Sequence, residues 1–317
     1  MRPLRILTWH VHGSYLYYLT QVPHIFYLPV PDLPVAQRAD GYHGRTKSYA
    51  WPDNVIEVPV SEVKNLSLDC ILFQSQRNYL EDQHQILSDT QRSLPRIYLE
   101  HDPPRESPTD THHIVDDPNV MLVHVTSFNR LMWDARRTPT RVIEHGVSIP
   151  EGVRYVGEKE RGLVVVNNIK KRGRRLGYDI YEHVRREIPL DLVGMGWFDA
   201  GGLGEISHAE LPLFSSHYRF FFNPIRYTSL GLSICEAMMT GIPIVGLATT
   251  ELATVIENGV SGFIDTDPDC LIDVMKELLN NPELARHLGH GARQTAMERF
   301  SIDRFVNDWT RTFEEVV

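Results

Sequence analysis

The chain has 317 residues, 42% of them apolar and 23% charged, with a formal net charge of −9. At about 100–200 residues per domain this length predicts two domains, and the apolar fraction suffices for two ordinary cores. The acidic balance argues against a nucleic-acid binder, and no apolar run approaches the ~18 residues of a membrane span. Three cysteines (Cys70, Cys235 and Cys270) show no C-x-x-C spacing, the pattern of free thiols in a reducing cytoplasm. Residues 1–9 run straight into a strand pattern without signal-peptide architecture, so a cytoplasmic location is the expectation.

Short apolar runs alternate with helical patterns along the chain, the signature of an α/β protein with parallel sheets. In the first half, strands are predicted at residues 4–9, 25–28, 70–74, 96–100, 120–125 and 140–143. Helices are predicted at 15–21, 79–93 and 127–136. Residues 29–54, rich in Pro, Gly and polar side chains, read as loop. Residues 148–162 have the mixed composition of an interdomain linker. The alternation then restarts, with strands at 163–167, 190–194, 220–223, 242–247 and 262–264. Helices are predicted at 175–187, 209–215, 232–239, 252–258, 269–280, 282–298 and 302–316. The last three are amphipathic.

The densest segment is residues 223–264. It compresses a strand, a glycine-bearing turn, a helix, a second strand and a second helix. Gly231 lets the backbone come close to a ligand, and a helix starting at Leu232 would aim unpaired N–H groups at an anion. Glu236 lies about one turn further in. An ionised carboxylate there can accept two hydroxyl bonds at once, as a ribose diol offers. The competing reading is a solvated glutamate on a core helix. Lys170, Lys171, Arg172, Arg174 and Arg175 follow the strand at 163–167, in a loop at its carboxyl end where open α/β sheets bind ligands. The competing readings are a solvated basic loop or a patch for acidic lipid or nucleic acid.

In the first half, Gly13 sits at the turn after the first strand, flanked by His10 and His12. Glu100-His101-Asp102 ends a strand before Pro103-Pro104-Arg105, two prolines that lock the loop exit. His101 there could hydrogen-bond a sugar hydroxyl, or simply be satisfied by local backbone. Asp267-Pro268-Asp269 looks like a D-x-D metal motif, but Asp267 and Pro268 suit helix capping better. His112-His113 and His287/His290 lack zinc-ligand spacing, and no metal site is expected. No G-x-S-x-G elbow, Walker loop or complete G-x-G-x-x-G is present.

Residues 223–264 resemble the donor-binding region of retaining GT-B glycosyltransferases of family 4 type (glycosyl transferases group 1). The resemblance is carried by Pro224, Gly231, Leu232, Glu236, Ala237, Met238, Gly241, Pro243, Val245, Val255, Asn258, Gly259 and Gly262. Arg141–Val147 and Asp191–Gly196 are similar to other family segments. The resemblance implies two Rossmann-like domains facing each other across a cleft. Residues 1–148 would hold the acceptor and 149–301 the nucleotide-sugar, with a helix at 302–317 crossing back to the first domain. It implies donor contacts at Gly13, Lys171, Thr228, Leu230, Gly231, Leu232 and Glu236, and catalytic roles for His101, Arg172 and Arg175. His12, Tyr15 and Arg105 would meet the acceptor.

The family has a second glutamate eight positions before the first, where this chain has Thr228, and asparagines (Asn167, Asn168) where it has an arginine. What the resemblance implies is metal-free, cofactor-free transfer of a sugar with retention. The donor would be a nucleotide-diphosphate sugar and the acceptor a hydroxyl of a glycan, a lipid-linked carrier or a small molecule. Peripheral contact with the inner membrane face is a further expectation. A nucleotide-sugar 2-epimerase on the same fold and a non-catalytic nucleotide-sugar-binding module are the alternatives.

Overall fold

The computed structural model describes residues 2–33 and 49–317. The chain divides into two compact units, Met1–His145 with Ile302–Val317, and Gly146–Ser301.

In unit 1 the order is β1 (Arg5–Thr8), α1 (Gly13–Leu19), β2 (Ile25–Val30), β3 (Val55–Pro59), β4 (Cys70–Phe73), α2 (Gln83–Ile86), α3 (Asp89–Arg92), β5 (Arg96–Glu100), β6 (Val120–His124), α4 (Ser127–Met132) and β7 (Thr140–Val142). These strands form a seven-stranded sheet, β3-β2-β1-β4-β5-β6-β7. Every pairing is parallel, with Ile6 opposite Phe26 on one side and Cys70 on the other. β4 is buried at every position, as a parallel strand covered on both faces must be. Leu7, Trp9, Ile71, Phe73, Tyr98 and Leu122 form the centre of the core on one face.

Unit 2 runs β8 (Lys159–Val165), α5 (Ile169–Arg172), α6 (Tyr178–Val184), β9 (Leu190–Val193), α7 (Leu211–Ser216), β10 (Tyr218–Asn223), α8 (Leu232–Thr240), β11 (Ile244–Leu247), α9 (Leu252–Val255), β12 (Gly262–Asp265), α10 (Pro268–Asn280) and α11 (Pro282–Arg299). Its parallel sheet has the order β12-β11-β10-β8-β9. The central strand β10 is buried throughout. Phe220, Phe222, Val164, Val245, Met275 and Leu288 pack together around it. Asp267 caps α10 by accepting the Asp269 N–H at 3.0 Å, with Pro268 in the first turn.

Several predicted elements change. β3 was not expected, because its edge position leaves Ile56 and Glu57 exposed and breaks the apolar run. β2 extends through Pro29 and Val30 into the predicted loop, pairing with Val58 and Pro59. Residues 34–48 of that loop lie outside the described residues. The helix predicted at 79–93 is broken. A π-helical turn spans Asn78–Asp82, Leu87 is extended, and Ser88 with Gln91 forms a capping box that starts α3. That reciprocal cap satisfies backbone donors that a continuous helix would have used. The helix predicted at 175–187 begins only at Tyr178, because Gly177 adopts φ +75°. β8 starts inside the predicted linker, where Lys159 lies opposite Tyr218.

The last helix, α12 (Ile302–Val316), belongs to unit 1. It buries Phe305, Trp309 and Phe313 fully. Trp309 Nε1 donates to Tyr15 Oη at 3.1 Å, and Arg141 Nη1 donates to Thr312 Oγ1 at 2.9 Å. Trp309→Ala is expected to cost about 3–5 kcal/mol of unit 1 stability, measured by urea unfolding. A loss below about 1 kcal/mol would show that α12 is dispensable to that core.

His124 ends β6 fully buried, and neither ring nitrogen has a hydrogen-bond partner among the described residues. Burial lowers its pKa to about 3, helped by His113 and Arg130. The unfolded chain therefore binds this proton more tightly than the fold does. Stability is full above the ordinary histidine value near 6.5 and declines as pH falls toward about 3. His124→Leu should flatten this acid limb in unfolding titrations, and an unchanged slope would contradict the assignment.

Candidate functional site

In unit 2, the order of the parallel strands reverses between β8 and β10. β8 leads through α6 to β9 on one side, and β10 leads through α8 to β11 on the other. Loops at the carboxyl ends of such a strand pair diverge and leave a crevice where ligands bind. The two loops here are residues 166–177 and 224–231. They are joined by hydrogen bonds: Arg226 N and Tyr227 N both donate to Arg175 O at 3.1 Å, and Arg226 Nη1 donates to Arg174 O at 2.7 Å. Arg226 Nη2 also donates to Asp179 Oδ2 at 2.7 Å, and Arg174 Nη1 to the same atom at 2.6 Å. Hydrogen bonding from Arg226 holds the Asp179 carboxyl below the usual carboxylate range. Gly177 permits this closeness, since a Cβ there would lie 1.8 Å from Pro224 O.

The basic run is not the loop that its composition suggested. Asn168 at φ +53° starts the single turn of α5, and a 3₁₀ turn covers Gly173–Leu176. This geometry sorts the cations. Lys170 Nζ is committed to Asp199 O at 3.1 Å, and Arg174 to Asp179. Arg172 and Arg175 are half-buried, and Lys171 is exposed. Asn167 Oδ1 accepts the Met195 N–H at 2.8 Å, and Asn168 N donates to Met195 O. These contacts tie the loop to the one after β9.

α8 opens the other side of the crevice. Its N-cap is Gly231, with no side-chain cap and no acidic residue in its first turn. Uncapped N–H groups at a helix start favour an anion. Gly231 has an ordinary φ of −76°, so strain does not select it. A Cβ there would meet nothing nearer than Ser233 Oγ at 3.6 Å, so protein packing does not require it either. Leu232 is half-buried at the first helical position, Leu230 is buried, and Thr228 is half-buried in the loop. Glu236 is 4% exposed, and its Oε1 pairs with His208 Nε2 at 3.0 Å. His208, Arg226 and Asp179 were missed by sequence reasoning. The first is 28 residues from Glu236 and the other two are 47 apart, with no spacing signal linking them.

In unit 1 the corresponding reversal lies between β1 and β4. Gln74, just after β4, donates from Nε2 to Thr8 Oγ1 at 2.9 Å and to Trp9 O at 2.7 Å. Its Oε1 therefore faces His101 Nε2 at 3.2 Å and must accept. That fixes the proton of neutral His101 on Nε2 and leaves Nδ1 as an acceptor. Burial, with His12 and His145 nearby, lowers the His101 pKa well below its usual value. His101 is thus a neutral acceptor, not a cation that senses charge. The His12 ring stands 4.0 Å from it, centroid to centroid.

Three of the first-unit residues expected to meet a ligand make protein contacts in the structure. Tyr15 is 2% exposed, and its hydroxyl takes the Trp309 N–H. It is a core residue whose ring touches His101 edge-on at 4.9 Å, so its hydroxyl is not offered to an acceptor. Gly13 does not leave open space, since a Cβ there would lie 2.3 Å from the Tyr49 ring. Tyr49 in turn hydrogen-bonds Ser14 at 3.1 Å. Arg105 is exposed but pairs with Asp102 within its own loop.

Comparison with known proteins gives the class first. HepE of Anabaena, solved with UDP and glucose, superposes with a TM-score of 0.70 at 14% identity, covering 98% of this chain and 99% of that one. Sucrose-phosphate synthase from Thermosynechococcus elongatus gives 0.69 at 14% identity, covering 99% of each chain. The chain has the GT-B fold. Residues 202–281 match the model of the glycosyl transferases group 1, about a quarter of the chain. N-acetyl-alpha-D-glucosaminyl L-malate synthase of Bacillus anthracis is 30% identical over 91 residues, 28% of this chain. The match spans only 24% of that relative's length.

If the space at Gly231 is kept for a ligand, Gly231→Ala should leave the unfolding midpoint almost unchanged. Nucleotide affinity should fall at least tenfold in calorimetry. Equal affinity would return Gly231 to a plain turn role.

Proposed function

We propose that the chain is a metal-independent, retaining glycosyltransferase of family 4 type. It would move a sugar from a nucleoside-diphosphate sugar to an acceptor hydroxyl on a glycan, lipid-linked carrier or small molecule. One observation carries this reading: a basic turn, an uncapped helix start and a buried carboxylate meet at one strand-order reversal in unit 2. The group 1 family match over 202–281 supports it.

The diphosphate would lie at the start of α8, facing the N–H groups of the first turn. Lys171 is exposed in the neighbouring run, as are Lys170 and Arg174, with Arg172 and Arg175 half-buried beside it. Together these groups would stabilise charge on the departing diphosphate. Glu236 would accept the ribose hydroxyls. Thr228 would contact the donor sugar through a neutral hydroxyl where the family has a carboxylate, so donor choice is expected to differ. Retaining glycosidases place a nucleophilic carboxylate close to a second one. With threonine at position 228, attack from the face that the diphosphate leaves is the expected course, a phosphate oxygen taking the acceptor proton. The acceptor would be held by unit 1, with His101 Nδ1 receiving a hydroxyl hydrogen bond beside His12.

Among the described residues, no helix is long and apolar enough to cross a membrane. We place the activity in the cytoplasm, with peripheral membrane contact when the acceptor is lipid-linked.

Glu236→Ala is the direct test. Losing hydrogen bonds to a charged group should weaken nucleotide binding about 10–100-fold and reduce turnover, with folding preserved. Thermal-shift screening against UDP-, GDP-, ADP- and dTDP-sugars selects the ligand. Normal turnover by the variant would overturn the site. Nucleotide-sugar binding with no nucleotide released across a broad acceptor panel would overturn the transferase reading in favour of a binding module. Epimer formation from the donor alone would favour an epimerase.

A further inference from the structure

We propose that His208 is a positioning residue of the nucleotide site. Its Nε2–H fixes the Glu236 carboxylate in the orientation that a ribose diol requires. The inference rests on the reading of α8 as the nucleoside-diphosphate site.

Glu236 is almost fully enclosed on the α8 face, with its side chain 5% exposed and that of His208 18% exposed. A carboxylate removed from water is destabilised unless it is hydrogen-bonded. The described bond is His208 Nε2 to Glu236 Oε1 at 3.0 Å. Each carboxylate oxygen has two acceptor positions. Oε1 can therefore hold His208 and still accept a ligand hydroxyl.

The segment that presents His208 is anchored on both sides. Upstream, Leu203 N donates to Leu192 O at 2.8 Å and Gly194 N to Gly204 O at 2.9 Å, which pins the segment along the edge strand β9. Downstream, Ser207 Oγ donates to Glu210 Oε2 at 2.6 Å, and Ser207 O accepts the N–H groups of Glu210 and Leu211. The imidazole is therefore delivered to Glu236 by a built turn, not by a free loop. A carboxylate oriented before the ligand arrives avoids the ordering cost that binding would otherwise carry.

A purely structural pairing would leave nucleotide affinity indifferent to which ring nitrogen is mimicked, so paired amide variants separate the two roles. Glutamine places its amide nitrogen where histidine has Nε2, and asparagine where it has Nδ1. The full-length chain and its variants are titrated calorimetrically with UDP, GDP, ADP and dTDP, and each urea midpoint is recorded.

With the nucleotide that binds the wild type, His208→Gln should stay within about threefold of its affinity. His208→Asn and His208→Ala should each lose about tenfold, with midpoints matching the glutamine variant. Wild-type affinity in His208→Asn, while Glu236→Ala has lost binding, overturns the positioning role and leaves the nucleotide site standing. Wild-type affinity in Glu236→Ala, or no binding of any of the four nucleotides, overturns the site reading and this inference with it.

Discussion

The carboxylate of Asp179 is the point on which the unit 2 site turns. The strand-order reversal brings the loops after β8 and β10 side by side, but it does not lock them. Asp179 does so by taking the guanidinium fork of Arg226 from one loop and Arg174 from the other. The Arg175 carbonyl adds two backbone bonds across the same gap. Charge-assisted, two-pronged contacts fix direction as well as distance. The basic turn is thereby held against residues 224–227 of the loop that leads into α8. Two of its cations are spent on structure, Lys170 on Asp199 O and Arg174 on Asp179.

Unit 1 shows the same economy with a neutral group. One amide, Gln74, is held by Thr8 and the Trp9 carbonyl, and so can only accept from His101. The proton position on a catalytic candidate is thereby set from a neighbouring strand. Burial then keeps the ring uncharged. A neutral imidazole offers a hydroxyl acceptor without repelling a cation or trapping an anion. Behind it, Tyr15 is committed to Trp309 of α12. The C-terminal helix therefore supports the wall against which His101 stands.

How much of this was legible follows from the physics of each element. Buried parallel strands are continuous apolar runs, so β4, β5, β6 and β10 stand out along the chain. The amphipathic helices α10, α11 and α12 do so as well. The edge strand β3 carried no such signal, because Ile56 and Glu57 face water in the middle of it. The segment at 79–93 looked like one helix because periodicity is blind to a local capping box at Ser88. Gly13 looked like a ligand-facing turn, and only the Tyr49 ring, 36 positions on in sequence, shows what occupies that space.

The sequence by itself determined the α/β class, the dense 223–264 segment and the candidacy of Gly231 and Glu236. These are local matters of period, turn chemistry and one misplaced charge in an apolar helix. The tertiary structure decided which cations are already paired, which nitrogen of His101 carries its proton, and that His208 meets Glu236. It also moved Tyr15 from a ligand contact to the core. All of these depend on contacts between residues far apart in the chain. Sheet order and loop closure create such contacts, and no local pattern encodes them.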